Sequence, residues 1–353
     1  MGALAQAYRR FGEVDAAGQL YERVAVALSE SAEALRAIEK APARKRRPEL
    51  ILAALHDLAL AGHAPALAAA YAAADADAAA AAAIDSLVRL TDEVVDLVAR
   101  RRPRTGETGR GAVLHPLVAE AAHRAGATAV GLIDVECGAG FNLTVDRVGI
   151  TYDTGPALGD PSSPVQLSCS IVGDRPAPER AFPEVVARVG IDREPLDVTD
   201  PDDARWLRAC VQPDQPERAA RLAAELALAA KAPPLLLRGD AVELLPAALA
   251  RVPADALPVV TTTWALSRFP AQRRVRFVER LEAAAAARPV AWVSAEGVAV
   301  APTVPTYGDR PASGHSILGV AVSDGPVLRT EAVGRCWSRG RLLAWLGQEV
   351  ATA

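Results

Sequence analysis

Residues 129–135 read AVGLIDV, with one charge in the whole run. Apolar and polar residues do not alternate there. The run therefore reads as a strand covered on both faces, the kind found in parallel sheets flanked by helices. Four more short apolar segments follow, at 185–191, 235–237, 259–262 and 290–293. Helical stretches at 202–230, 241–251 and 270–287 separate the later ones, and another helix is expected at 113–125. Such alternation implies a parallel sheet with helices on both faces. The end differs: 317–322 and 327–333 flank Ser323-Asp324-Gly325-Pro326, which reads as the turn of an antiparallel hairpin.

Ahead of residue 128 no strand pattern appears. Leu4, Tyr8 and Phe11 recur at helical spacing, then Leu20, Val24 and Leu28, then Leu50, Leu52, Leu55 and Leu58. Residues 66–83 are nearly all alanine, the best helix former, with Asp75 and Asp77 between, and predict two helices. In 85–100, Leu87, Leu90, Val94, Val95 and Val98 form one stripe. Residues 100–111, RRRPRTGETGRG, break the pattern. They read either as a solvated linker or as a segment touching substrate or cofactor. The expected organisation is a helical N-terminal domain over 1–100, a lid or substrate domain, then a linker over 101–111 and an α/β domain over 112–353.

A length of 353 residues fits two domains, and 51% apolar against 23% charged residues suffices for a sizeable core. A net charge of −4 argues against a dedicated nucleic-acid binder. No uncharged apolar run reaches the roughly 20 residues of a membrane helix. Residues 1–11 carry no secretion signal, so a cytoplasmic location without membrane partners is expected. Cys137, Cys169, Cys210 and Cys336 are too scattered for a zinc site or a disulfide scaffold. Lys40, Lys45 and Lys231 stand against 36 arginines, the bias of a GC-rich genome, so arginine runs carry less functional weight here.

In open parallel sheets ligands bind at the carboxyl ends of the strands, where the strand order reverses. The first strand runs into Asp134-Val135-Glu136-Cys137-Gly138-Ala139-Gly140. Leu143 stands where the dinucleotide fingerprint needs a third small residue, so a nicotinamide dehydrogenase is disfavoured. His56 and His63 are seven apart and His115 and His123 eight apart, spacings that suit packed helix faces, and no metal site is expected. Gly314-His315-Ser316-Ile317-Leu318 lacks the final glycine of a hydrolase nucleophile elbow. Trp292, Trp337 and Trp345 read as core. Glu296 either reaches the pocket or caps a loop.

The turn after the first strand resembles the first motif of class I S-adenosylmethionine-dependent methyltransferases: Asp134 matches its acid, and Gly138 and Gly140 its second and third glycines. Later segments fall in the family's order: Gly190-Ile191-Asp192 ends the second strand, Arg238-Gly239-Asp240-Ala241 the third and Thr261-Thr262-Thr263-Trp264 the fourth. The terminal hairpin matches the fold's last two strands. The implied architecture is α/β: a Rossmann-like methyltransferase sheet, mostly parallel with an antiparallel terminal hairpin, preceded by the all-helical domain. The resemblance implies Asp134, Gly138 and Gly140 at the methionine part of the cofactor, Asp192 at the ribose, Asp240 and Ala241 at the adenine, and Thr262 near the reacting groups. Glu136 replaces the motif's first glycine. Three readings follow: a shifted loop with Glu136 turned aside, a carboxylate on the cofactor's ammonium, or a lost cofactor site. Asp134 and Asp192 lie 58 residues apart, against about 20 in such a unit. The excess, about 148–183, contains two alternating segments, 149–153 and 165–172, and reads as an inserted β-hairpin overhanging the pocket as a lid or substrate wall.

Read whole, the chain resembles the domain-of-unknown-function 2332 family of mostly GC-rich bacteria. Gln19-Leu20-Tyr21-Glu22 resembles its N-terminal segment, and Lys45-Arg46-Arg47-Pro48-Glu49-Leu50 with His56 resembles its second. Arg102, Thr105, Glu107, Gly109 and Arg110 fit a third, and Gly140-Phe141-Asn142-Leu143 with Asp146-Arg147 a fourth. Residues 195–203, PLDVTDPDD, with Arg205-Trp206-Leu207 fit a fifth closely. Gly106, Glu136 and Thr262-Thr263 depart from the family pattern. The resemblance implies a helical part joined to a methyltransferase-like domain and assigns no catalytic residues.

The resulting expectation is S-adenosylmethionine-dependent O- or N-methylation of a small molecule. Glu107 or Glu136 would serve as base with Thr262 at the reacting groups, and Arg110, Asn142, Arg147, Tyr21 and His56 would bind substrate. The alternative is the same fold without methylation: a binding or regulatory module, or other chemistry in the same pocket. A homodimer stays open.

Overall fold

The computed structural model describes residues 2–16, 18–104, 109–325 and 327–346. Its helices are α1 (Ala3–Arg10), α2 (Gln19–Glu30), α3 (Ala32–Glu39), α4 (Pro48–Leu60), α5 (Pro65–Ala72), α6 (Ala76–Arg89), α7 (Thr91–Arg100), α8 (Gly111–Arg124), α9 (Pro201–Ala209), α10 (Pro216–Ala230), α11 (Ala241–Leu249) and α12 (Ala271–Ala285). Its strands are β1 (Ala129–Val135), β2 (Gly149–Tyr152), β3 (Leu158–Gly159), β4 (Gln166–Ile171), β5 (Glu184–Asp192), β6 (Leu235–Arg238), β7 (Leu257–Thr263), β8 (Ala291–Gly297), β9 (Ser316–Asp324), β10 (Val327–Trp337) and β11 (Leu342–Trp345). Among the described residues no single helix is long and apolar enough to cross a membrane.

The chain divides into two compact units, one of residues 1–106 with 199–223 and one of 107–198 with 224–353. The first unit is helical throughout its described regular elements. Its alanine-rich stretch breaks into α5 and α6, and Asp75 caps α6 by accepting from the Ala78 N–H at 3.0 Å.

Two expectations are corrected in this unit. The stretch 202–230 is not one helix: α9 and α10 are separated at 210–215, where Pro213 cannot continue a helix, and Pro216 opens α10. Residues 199–223 also group with the N-terminal helices instead of the α/β domain. Buried side chains tie them there. Trp206 Nε1 donates to the Arg102 carbonyl at 3.0 Å, Arg205 pairs with the buried Asp57 at 3.2 Å, and Arg101 pairs with Asp203. The segment PLDVTDPDD has a local reason: Asp200 accepts from the N–H groups of Asp202 and Asp203, Pro201 opens α9, and two acids fill its first turn.

The second unit is α/β, built on a mixed, mostly parallel sheet of eleven strands in the order β3-β2-β4-β11-β10-β9-β8-β7-β1-β5-β6. From β1 the chain moves outward through β5 to β6, then returns to the other side of β1 for β7 and β8, all parallel. The switch point lies between β1 and β7. The hairpin is present: β9 lies antiparallel against β8 and β10 antiparallel outside β9. Alternate residues sort to two cores. Val130, Leu132, Val259 and Val293 pack with α8, whereas Ile133, Val135, Val260 and Trp292 pack with α11 and α12. Trp292 is buried, but Trp337 and Trp345 are only half-buried.

The insertion differs from the hairpin expected at 148–183. β2 and β4 pair in parallel, β3 runs antiparallel on the outer side of β2, and β4 joins the parallel edge of β11. Alternation marks a strand without setting its direction, and the pairing here is set by burial around α8. Tyr152 Oη donates to the Ala112 carbonyl at 2.6 Å, and Leu167 reaches the spot where Gly111 has no side chain. The insertion is thus a fixed extension of the sheet with Ile150, Tyr152, Leu167 and Cys169 in the core, not a lid.

Candidate functional site

The carboxyl ends of β1 and β7 place Asp134, Thr261 and Thr263 on the α8 face of the sheet. Asp134 has no exposed surface. Thr261 Oγ1 donates to one of its oxygens at 2.6 Å and Asn142 Nδ2 to the other at 3.1 Å. Asn142 also reaches Thr263 Oγ1 at 3.1 Å. Arg110, just before α8, donates to the Thr263 carbonyl at 3.2 Å and to its hydroxyl at 3.1 Å, and its guanidinium lies 5.2 Å from the ring centre of Trp264. Burial pushes the Asp134 carboxyl up to about 6, although Thr261, Arg110 and Asn142 pull the other way. Burial also lowers Arg110, against the charges of Asp134 and Glu296.

The loop after β1 turns through three left-handed residues, Glu136 at φ 57°, Gly138 at φ 60° and Gly140 at φ 77°. Gly138 adopts that region without cost, but Glu136 does not. A positive φ in a non-glycine residue at a strand end is the kind of strain that gathers at functional sites. Trp264, at φ 52° just after β7, is a second case, and its Nε1 donates to Ser316 Oγ at 2.8 Å. The Glu136 carboxylate lies 3.7 Å from Arg268. A Cβ on Gly138 would meet nothing within 4 Å.

Asp192, at the end of β5, accepts from the Gly138 N–H at 2.9 Å and from the Glu194 N–H at 2.8 Å. Its carboxylate therefore fixes the glycine loop from the neighbouring strand. Asp240 caps α11 through the Val242 N–H and pairs with Arg193 and Arg273. Against its partial burial, the Val242 N–H and the Arg273 charge hold its carboxyl below the usual range. Ala241 is buried as the first residue of α11.

The expectation at Thr262 is corrected by position. Thr262 has no exposed surface, faces the α11 and α12 core, and accepts from Trp292 Nε1 at 3.0 Å. In a strand the side chains alternate, so its neighbours Thr261 and Thr263 hold the site and Thr262 does not. Asn142 positions Asp134 and Thr263 from the short helical turn at 141–147. Arg147 closes that turn and lies 3.9 Å from Asp146, a residue already held by Arg188. Tyr21 and His56 belong to the helical unit, where their rings both meet Tyr71, at 6.3 and 5.4 Å. Glu107 lies outside the described residues.

Sequence reasoning passed over two arginines. Arg268 and Arg273 follow β7 with no local signal. Trp264 was visible only as the residue after three threonines. Glu296 is a loop cap: Oε1 accepts from the Ala265 and Leu266 N–H groups at 2.9 and 3.0 Å, and burial pushes the carboxyl up to about 7. Among the described residues no three His, Cys, Asp or Glu gather as a metal site. The buried Asp134 carboxyl, pushed up by burial, thus lies at the end of the strand that leads into the open, left-handed backbone of Gly138.

A family described as "uncharacterized protein conserved in bacteria (DUF2332)" matches the chain over residues 5–345. No curated protein and no solved structure matches it.

Proposed function

The chain belongs to the DUF2332 family, whose description names no activity, and from that premise we propose that it is an S-adenosylmethionine-dependent methyltransferase acting on a small molecule. One observation carries the reading. The left-handed backbone at Gly138 faces open space at the switch point of a mostly parallel sheet, tied to a carboxylate on the adjacent strand. Parallel sheets bind nucleotide-like ligands at this position. Gly138 and Gly140 would lie along the methionine part with Asp134 behind them, Asp192 toward the ribose, and Asp240 with Ala241 toward the adenine. Bound there, the cofactor supplies an electrophilic methyl group on sulfur.

The protein's own part is positioning and dryness, which is most of what methyl transfer asks of an enzyme. Thr261 and Asn142 hold Asp134, and Arg110 and Trp264 wall the carboxyl ends of β1 and β7. The Glu136 carboxylate is the acceptor for the proton leaving an O–H or N–H nucleophile.

A second reading has its own observation. Glu136 is left-handed, occupies the position of the motif's first glycine, and is drawn toward Arg268. A carboxylate there suits a site that has given up the cofactor and kept a binding role. Melting curves and titration calorimetry with S-adenosylmethionine separate the two. Saturation at 100 times the dissociation constant stabilises the fold by about 2.7 kcal/mol. The methyltransferase reading expects that shift, and its loss in Gly138→Val. Absence of both shift and heat refutes it, and binding gained by Glu136→Gly establishes the second reading.

A further inference from the structure

We propose that the helical unit carries a small-molecule site of its own, one that takes a primary ammonium compound with an apolar body. The inference does not depend on the methyltransferase reading. A cavity of about 500 Å³ opens within this unit, and its walls include Phe11, Asp15, Tyr21, Glu49, Cys210 and Gln212. That volume suits a small organic ligand. Asp15 and Glu49 are exposed at the rim, and no lysine, arginine or histidine is among the described lining residues.

Unmet hydrogen-bonding capacity is found at Gln212, in the cavity wall, and at two residues outside its lining. Gln212 Oε1, Asp214 Oδ1 and Tyr71 Oη are buried without a hydrogen-bond partner. Asp214 follows Gln212 by two residues. Burial, followed by the charge of Asp214, raises the Tyr71 phenol, and the Tyr71 ring lies 6.3 Å from that of Tyr21 in the cavity wall. Folded proteins leave few buried polar groups unsatisfied. Two of these three are acceptors only, and an alkylammonium offers three N–H donors and no acceptor. Its charge complements the acidic rim. Tyr21 Oη is already spent on the Leu52 carbonyl at 3.3 Å, so Tyr21 presents its ring. Phe11 and Tyr21 thus offer aromatic faces to a cation and to its apolar body. His56, lowered by burial to about 4, adds no positive charge near neutral pH.

The test is titration calorimetry of the full chain with phenethylamine, with 2-phenylethanol and phenylacetate as probes of similar size. The amine is expected to bind at about 1 mM or tighter, and the other two to give no heat. Asp15→Asn and Glu49→Gln, both at exposed positions that leave the fold intact by circular dichroism, each weaken the amine about two- to fivefold. Gln212→Leu weakens it up to about tenfold. Asp85→Asn removes an exposed acid of the same unit, one paired with Arg89, and leaves binding unchanged. The proposal is overturned by equal binding of the alcohol, by unchanged affinity in both rim variants, by an equal loss in Asp85→Asn, or by no amine binding at about 10 mM.

Discussion

Replacing Asp134 by asparagine should reverse its effect on stability between acid and neutral pH. The folded protein holds this carboxyl at about 6, against an ordinary 3.8, because it is buried. At 1.36 kcal/mol per pH unit, that difference is worth about 3 kcal/mol. The folded state binds the proton more tightly than the unfolded state, so stability from this group is fully present below 3.8 and is lost as pH rises through 6. Asparagine has no such titration. It does lose something at every pH, because Thr261 and Asn142 each donate to a separate oxygen of Asp134 and an amide offers only one acceptor. That loss is about 1 kcal/mol. Asp134→Asn should therefore be about 0.5 kcal/mol less stable than the parent at about pH 4, and about 2 kcal/mol more stable at about pH 7. Urea unfolding followed by tryptophan emission reads the sheet unit, which holds four of the five tryptophans. A stability difference that stays constant between the two pH values refutes the reasoning, as does one that moves against the variant on going to neutral pH.

The same sign applies to Glu296, raised by burial to about 7, so Glu296→Gln should flatten the fall in melting temperature between about pH 5 and pH 8 while its remaining acceptor keeps the Ala265 and Leu266 N–H groups bonded. A variant with the parent's pH slope contradicts the burial argument. Asp200→Ala removes the cap of α9 and should cost about 1 kcal/mol in urea unfolding, whereas Asp202→Asn, further along the first turn and exposed, should cost less than half as much.

Much of the sheet was legible because each strand announces itself locally. AVGLIDV is β1 to the residue, and the apolar segments at 185–191, 235–237, 259–262 and 290–293 lie inside β5, β6, β7 and β8 except for Val290, just before β8. The turn around Gly325 sits where its residues placed it. The site was legible only in part. Asp134 and the glycine loop follow from β1, but the three threonines 261–263 look alike in sequence, and only strand register separates the two that hold the site from the one in the core. The inserted segments read correctly as strands and wrongly as a hairpin, since residue alternation is the same in parallel and antiparallel pairs.

What the chain determines by itself is local. Alanine-rich and striped segments become helices, unbroken apolar runs become buried strands, and Asp200-Pro201-Asp202-Asp203 starts a helix, because φ/ψ preference, side-chain period and capping act over a few residues. Other features needed the folded molecule. These are the parallel seat of β4 beside β11, the return of 199–223 to the helical unit, and the raised carboxyl of Asp134. Each depends on groups far apart in sequence excluding water from one another, and that exclusion exists only once the chain has packed.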